Sequence, residues 1–218
     1  MVKRFFDVLC SLLGILVLAP LMLAVALIIK LTSQGSVLYT QARVGLHEKI
    51  FRVYKFRTMV DRAELMGTSV TTGMDPRITP IGRFLRKTKL DELPQLFNVL
   101  KGDMSFVGPR PDVPEITAKY TPEMRRIFAI RPGITSVATL HFRQEEVILS
   151  TVPDPDRFYD KVVVPLKVEL AMEHVRRRSF WFDLSILLQT VWALMPFSKM
   201  WPIKELDAVR QFREKYSL

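Results

Sequence analysis

The segment from Val8 to Ile29 runs for 22 residues without a charge, with Lys3 and Arg4 ahead of it and Lys30 behind. A continuous helix of that length rises about 33 Å, enough to cross a hydrocarbon core of about 30 Å. Pro20 sits in its middle. Proline lacks a backbone N–H and its ring clashes with the preceding turn, so a kink is expected at Ala19-Pro20. That kink divides the run into arms of 12 and 10 residues, about 18 and 15 Å long, each reaching roughly half-way through the hydrocarbon. Cations at both ends suit two ends on the cytoplasmic side. A re-entrant hairpin fits these facts, and so does a spanning helix kinked at proline; the residues alone leave both open. Ala24-Val25-Ala26 offers a small-x-small cleavage site, but the apolar run continues through Leu27, Ile28 and Ile29. That continuation argues against a cleaved signal peptide.

Beyond Leu31 there is no internal repeat, low-complexity tract or glycine-serine linker, so residues 32–218 read as one domain behind a membrane segment, 1–31. The net charge of +10 points to anionic partners: nucleic acid, an anionic membrane surface or a phosphorylated substrate. The single cysteine, Cys10, excludes an intrachain disulfide and a multi-cysteine zinc site. Three scattered histidines, His47, His141 and His174, do not make a histidine-rich metal centre, so a metal here would be Mg²⁺, or Mn²⁺, on oxygen ligands. Walker-type phosphate loops, the G-x-S-x-G elbow, H-E-x-x-H and G-x-G-x-x-G are all absent from the sequence.

Alternating β-branched and aromatic residues predict a strand over 50–59. Residues 67–79 have loop composition. Pro80 to Lys89 predicts a short helix with a basic face, and Pro94 to Leu100 another that Gly102 ends. Thr121-Pro122-Glu123 should open a helix. Asp154-Pro155-Asp156 should open a longer one towards Arg176, bent or interrupted by Pro165. The last third combines Arg176 to Arg178 with Trp181, Trp192, Trp201 and an apolar stripe, which suits helices lying in a membrane interface. The expected class is α/β, predominantly helical with little strand.

The residues that bear on chemistry cluster between Lys55 and Arg110. Lys55 and Arg57, two apart on the strand, should emerge side by side and could grip a diphosphate; for two cations alone, a solvated strand face is the better explanation. Pro109 and Pro111 restrict the backbone around Arg110, so its guanidinium is presented with little freedom left to lose. Asp91 and Glu92 stand ahead of Pro94, where they could cap the following helix. Surrounding cations should depress both carboxyls and keep them ionised, as suits a nucleophile or metal ligand.

Taken together, "KRFFDVLCSLLGILVLAPL", "YKFRTM", "DPRITPIGRFLRKTKLDELPQLFNVLKGDMSFVGPRP", "RPGIT" and "RRSFWFDLSILLQT" resemble the bacterial sugar transferases, the monotopic phosphoglycosyl transferases. The match runs from residue 3 to about 190, close to the family's minimal catalytic unit. The resemblance implies transfer of a phosphosugar from a UDP-sugar to a polyprenol phosphate (undecaprenyl phosphate being the expected one), with release of UMP. This begins the assembly of a capsule, exopolysaccharide, O-antigen or glycoprotein glycan at the cytoplasmic face of the inner membrane. It implies Asp91 as the nucleophile of a covalent intermediate, with Glu92 assisting at the Mg²⁺ site or in proton transfer. Lys55, Arg86 and Arg110 match positions expected to hold the diphosphate, Asp183 a late aspartate near the active site, and Arg143 loosely a later arginine. It also implies that the membrane segment is a re-entrant helix broken at Pro20, and it admits a homodimer.

Two departures from the family pattern stand out. Ala19 replaces the serine that commonly precedes the proline, and a serine hydroxyl could bond to carbonyls freed at a kink. After "RPGIT" the chain reads "SVATLHFRQEEVIL", which bears on donor contacts and sugar identity. The competing class is a catalytically silent, membrane-anchored protein that binds anionic lipid or a partner. A nucleic-acid module has only the positive charge in its favour and no recognition motif.

Overall fold

The computed structural model describes residues 2–66, 75–142, 149, 150, 152 and 154–195. The apolar N-terminus forms one helix, α1 (Val2–Thr32), and the helical assignment continues through Pro20. Its inward residues, Asp7, Ser11, Met22, Val25 and Ile29, are buried, with Gly14 and Leu18 half-buried between them. They follow one another in steps of three and four, the spacing of a single narrow stripe. The outward face (Phe5, Leu9, Leu12, Leu16, Val17, Leu23, Leu27 and Leu31) is apolar and exposed. Among the described residues this is the one helix long and apolar enough to cross a membrane.

Both ends of α1 are fastened to the same domain. Near its start, Arg4 donates to Val99 O at 2.6 Å and Leu100 O at 2.9 Å. Towards its end, Met22, Val25 and Ile29 pack with Phe56 and Leu85. The Arg4 bonds satisfy carbonyls that every helix leaves open at its C-terminus, here the end of α3.

Strands β1 (Leu38–Val44) and β2 (Ile50–Phe56) make an antiparallel hairpin in which Leu38 faces Phe56 and Val44 faces Ile50. The expected strand over 50–59 is therefore seven residues long, and Met59 makes an isolated bridge to Ile78. Helix α2 (Pro80–Thr88) is capped by Thr79, whose Oγ1 accepts from Gly82 N at 3.0 Å. A 3₁₀ turn, Leu90–Glu92, leads into α3 (Gln95–Lys101), which Gly102 ends at a φ of +94°. Both helices sit where the sequence placed them. Of the expected loop 67–79, residues 67–74 lie outside the described residues.

Two three-residue strands, β3 (Ser105–Val107) and β4 (Gly133–Thr135), pair in parallel. The short helices α4 (Pro114–Thr117) and α5 (Val137–His141) flank them in sequence. Where Thr121-Pro122-Glu123 announced a helix, the chain forms the 3₁₀ segment Met124–Ala129, with Thr121 Oγ1 accepting from Met124 N at 3.3 Å. Asp154 caps α6 (Pro155–Phe158) through Arg157 N at 3.0 Å. A π turn, Tyr159–Val163, then precedes α7 (Val164–Arg177), and α8 (Phe180–Leu194) follows. The predicted interruption thus falls just before Pro165, whose missing N–H is tolerated in the first turn of α7. On α8, Ile186 and Asp183 are buried while Trp181, Leu188 and Val191 are exposed. Trp201 lies outside the described residues.

The entry to α2 leaves no room for a side chain at Gly82: an added Cβ would sit 1.9 Å from Thr58 O. Gly82→Ala should therefore destabilise the fold by about 1–3 kcal/mol through overpacking. Gly14→Ala, whose Cβ would meet Leu96 Cδ1 at 3.4 Å, should be tolerated. Thermal unfolding of both variants in detergent checks the contrast; equal melting temperatures would refute it.

Candidate active site

Three separated segments converge on Glu92. Its Oε1 accepts from Lys55 Nζ of β2 at 2.9 Å and from Arg110 Nη2 at 2.5 Å, while Arg110 Nη1 reaches Oε2 at 3.4 Å. Burial alone would raise the Glu92 carboxyl, but Arg110 and Lys55 outweigh it and hold the group well below the usual carboxylate range. Asp91 is different. It is only 7% exposed, its Oδ1 is sealed from solvent, and it accepts no hydrogen bond among the described residues. Burial and the neighbouring Glu92 push its carboxyl up, against the pull of Lys55, Lys89 and Arg86. The expectation that both acids are depressed thus holds for Glu92 and is corrected for Asp91, because the cations are spent on its neighbour and desolvation dominates.

Neither acid caps α3. Pro94 occupies the cap position and no side chain bonds there. The dyad is instead delivered by Lys89, whose φ of 59° is left-handed. Such a backbone in a non-glycine residue costs about 1–2 kcal/mol. It turns the chain sharply from the end of α2, so that Leu90–Glu92 coil back beneath the β1–β2 hairpin.

Lys55 is aligned by a residue that the sequence reading passed over. Asn98 is fully buried; its Oδ1 accepts from Tyr54 N at 3.0 Å and its Nδ2 donates to Arg52 O at 2.7 Å. One amide side chain therefore locks β2 to α3, and with it Lys55 to the dyad. A polar residue inside the apolar stretch "LFNVL" was the available signal. Arg43 was missed as well. The hairpin register pairs Tyr39 with Lys55 and Arg43 with Phe51, which places Arg43 on the Lys55 face of the sheet. It donates to Gln41 Oε1 at 2.6 Å and to Pro111 O at 3.2 Å, beside Arg110.

Arg110 is held from behind by two glycines. A Cβ on Gly108 would meet Arg131 O at 2.3 Å, and one on Gly133 would meet Gly108 N at 2.1 Å. "VGPRP" and "RPGIT" can thus lie against each other, with Gly133 N donating to Pro109 O at 2.9 Å. Arg86 belongs to α2, close enough for its charge to act on Asp91.

Two expected site residues lie elsewhere. Arg57 falls one residue beyond β2 and is buried, donating to Ser33 O at 3.0 Å, to Ser33 Oγ at 2.8 Å and to Gln34 O. It does not emerge beside Lys55; it closes the C-terminal end of α1. Asp183, on α8, pairs with Lys3 of α1 and lies 3.0 Å from His174 Nε2 of α7, without the alignment that a hydrogen bond needs. Lys3 also donates to Val107 O at 2.8 Å. None of these bonds reaches the dyad, Lys55 or Arg110. Arg143 lies outside the described residues.

The family model described as bacterial sugar transferase matches residues 1–196. The chain belongs to the bacterial sugar transferase family. It is 41% identical over 196 residues to the undecaprenyl-phosphate glucose phosphotransferase of Komagataeibacter xylinus, covering 87% of this chain and 35% of that protein. It is 37% identical over 195 residues to the UDP-N-acetylgalactosamine-undecaprenyl-phosphate N-acetylgalactosaminephosphotransferase of Aeromonas hydrophila, covering 87% and 43%. Against the putative undecaprenyl-phosphate N-acetylgalactosaminyl 1-phosphate transferase of Bacillus subtilis it is 46% identical over 134 residues, covering 62% and 71%. The chain thus spans well under half the length of the first two of these curated relatives.

As a carboxylate acceptor for a cation, Asp91 fits: it is buried, anionic when ionised and free of donors. Glu92 fits less well, because both of its oxygens are engaged by Lys55 and Arg110. No group of three or more His, Cys, Asp or Glu converges among the described residues.

Arg57→Gln should lower stability by about 1.5–3 kcal/mol, the worth of hydrogen bonds from a charged group. It should leave the KM for a nucleotide-sugar donor within about twofold. Melting temperature and donor titration check this together; a large rise in KM at unchanged stability would return Arg57 to the site.

Proposed function

We propose that this transferase moves a phosphosugar from a UDP-sugar to undecaprenyl phosphate through a covalent intermediate on Asp91, as the initiating step of a surface-glycan pathway. The observation that carries this reading is the division of labour in the dyad. Glu92 is neutralised by Lys55 and Arg110, whereas Asp91 is left buried beside it without a partner. A buried carboxylate with no donor keeps its lone pairs available and poorly solvated, as a nucleophile requires.

In the first step an Asp91 oxygen attacks the sugar-linked phosphorus, the bond to the UMP oxygen breaks, and UMP leaves with the electron pair. In the second, an oxygen of the polyprenol phosphate attacks the same phosphorus and the carboxylate is regenerated. Lys55 and Arg110, pre-set by Glu92, lie where the negative charge of a diphosphate would otherwise repel the nucleophile. Arg86, and Arg43 on the same sheet face as Lys55, add to this field. The proposed Mg²⁺, or Mn²⁺, would be held by Asp91 with phosphate and water as its other ligands, in keeping with the ion's reluctance to dehydrate, and would supply further charge compensation on the diphosphate. We place Glu92 as the residue that positions the two cations.

The proposed membrane arrangement rests on α1. Its two ends contact one domain, through Arg4 and through Ile29, while its outward face is apolar. This supports a monotopic placement in the cytoplasmic leaflet of the inner membrane, with the exposed Trp181, Leu188 and Val191 of α8 in the same interface.

UMP release from a panel of UDP-sugars, with Mg²⁺ and undecaprenyl phosphate, should fall by about 10³-fold or more in Asp91→Asn, as expected for loss of a covalent nucleophile. Release that survives would sink the covalent route; silence of the folded wild type across the panel would favour a binding protein. Acidity offers a second check. Because the Asp91 carboxyl is raised above 3.8, it takes up its proton at a higher pH than an ordinary aspartate. The acid limb of UMP release should accordingly lie above that value, and a limb at or below it would contradict the buried nucleophile.

A further inference from the structure

From Asp91 to Lys101 the backbone coils in one direction: the 3₁₀ turn ends at Glu92, Leu93 and Pro94 both have right-handed helical angles, and α3 begins at Gln95. Residues three to four apart on such a path are about one turn apart. Asp91 and Gln95 are four apart. Gln95 is 2% exposed, and its Nε2 is sealed from solvent with no hydrogen-bond partner among the described residues. The Asp91 Oδ1 is likewise sealed and unpartnered. Buried polar groups in folded proteins are nearly always paired, so a spare donor and a spare acceptor about one turn apart call for a reason. Neighbouring polar residues do not share it: Asn98, one turn further on, is engaged by Tyr54 N and Arg52 O of β2 and by Asp103 Oδ2.

We propose that Gln95 is a positioning residue for the nucleophile, donating its amide N–H to the buried oxygen of Asp91 while the other oxygen forms and breaks its bond to phosphorus. The inference rests on Asp91 being the nucleophile, as proposed above. When the P–O bond to Asp91 breaks in the second step, the carboxylate recovers its negative charge with its inner oxygen out of reach of solvent. A fixed donor there stabilises the leaving carboxylate and holds the group in the orientation for the next attack. The bond is not made in this structure, which assigns it to the loaded or covalent state.

The test compares wild type, Gln95→Met, Gln95→Asn and Asp91→Asn, in detergent or lipid with Mg²⁺ and an accepted UDP-sugar. A rapid-quench assay reads the UMP burst without acceptor, and the decay of the labelled protein on adding undecaprenyl phosphate. Gln95→Met, similar in length but without the donor, should slow decay of the intermediate by up to about 10²–10³-fold, the range found for losing one preorganised donor, with KM for the donor substrate unchanged. Gln95→Asn should recover part of that loss. A merely structural role would lower the burst amplitude, as the active fraction falls, and leave both rate constants alone; that result overturns the inference while the Asp91 reading stands. A burst that persists in Asp91→Asn overturns both.

Discussion

Glu92 is the hinge on which the site depends. A carboxylate taken out of water is costly unless it is paired, and this one is paired twice, by Lys55 from the hairpin and by Arg110 from the β3–β4 crossover. Satisfying one buried charge therefore forces three distant pieces of chain into register. The same pairing settles the character of its neighbour. With both cations held by Glu92, burial is the larger influence on Asp91, and two adjacent acids acquire opposite properties. Divergence of this kind is how two like residues come to hold different roles in one site.

The supports of this arrangement are local and unequal. Asn98 fixes the hairpin to α3, the strained Lys89 aims the dyad, and Gly108 with Gly133 allows the Arg110 loop to lie against β4. At the other side of α3, Arg4 closes its C-terminus from α1, so the apolar helix and the dyad helix are one packed unit. Polar groups of the domain are satisfied at the first turn of α1 and apolar residues pack against the domain at its last, which is the support for the proposed monotopic placement. The ion pair of Lys3 with Asp183 extends that logic to α8, so the two helices proposed to meet the membrane are tied to one another.

The parts of this fold that were legible in the sequence are those set by local chemistry. Proline and threonine at the start of α2, Gly102 after α3 and Asp154-Pro155 before α6 each state a boundary through a specific hydrogen bond or a missing one, and the chain obeys them. The interruption of the last long helical stretch near Pro165 belongs to the same kind. Strands β1, β3 and β4 were not anticipated; for β3 and β4 the reason is that a three-residue parallel pair has no periodicity to read and is defined wholly by its partner. Thr121-Pro122-Glu123 spoke for a helix, yet the need to bury the consecutive Ile127 and Phe128 is met by 3₁₀ geometry.

The site divides along the same line. Asp91, Glu92, Lys55 and Arg110 were singled out by residue type and spacing, where capping and solvated faces remained alternatives, and were given a place in one site by the family resemblance; they do converge. Arg57 looked equivalent to Lys55 because a strand repeats every two residues, but the strand ends at Phe56 and one residue of difference sends the guanidinium to α1 instead. The raised Asp91 carboxyl could not be read from a list of nearby cations, since what matters is which acid captures them. That capture is a property of packing, and it distinguishes two acids that could have capped α3 from the proposed nucleophile and the residue that holds its neighbouring cations.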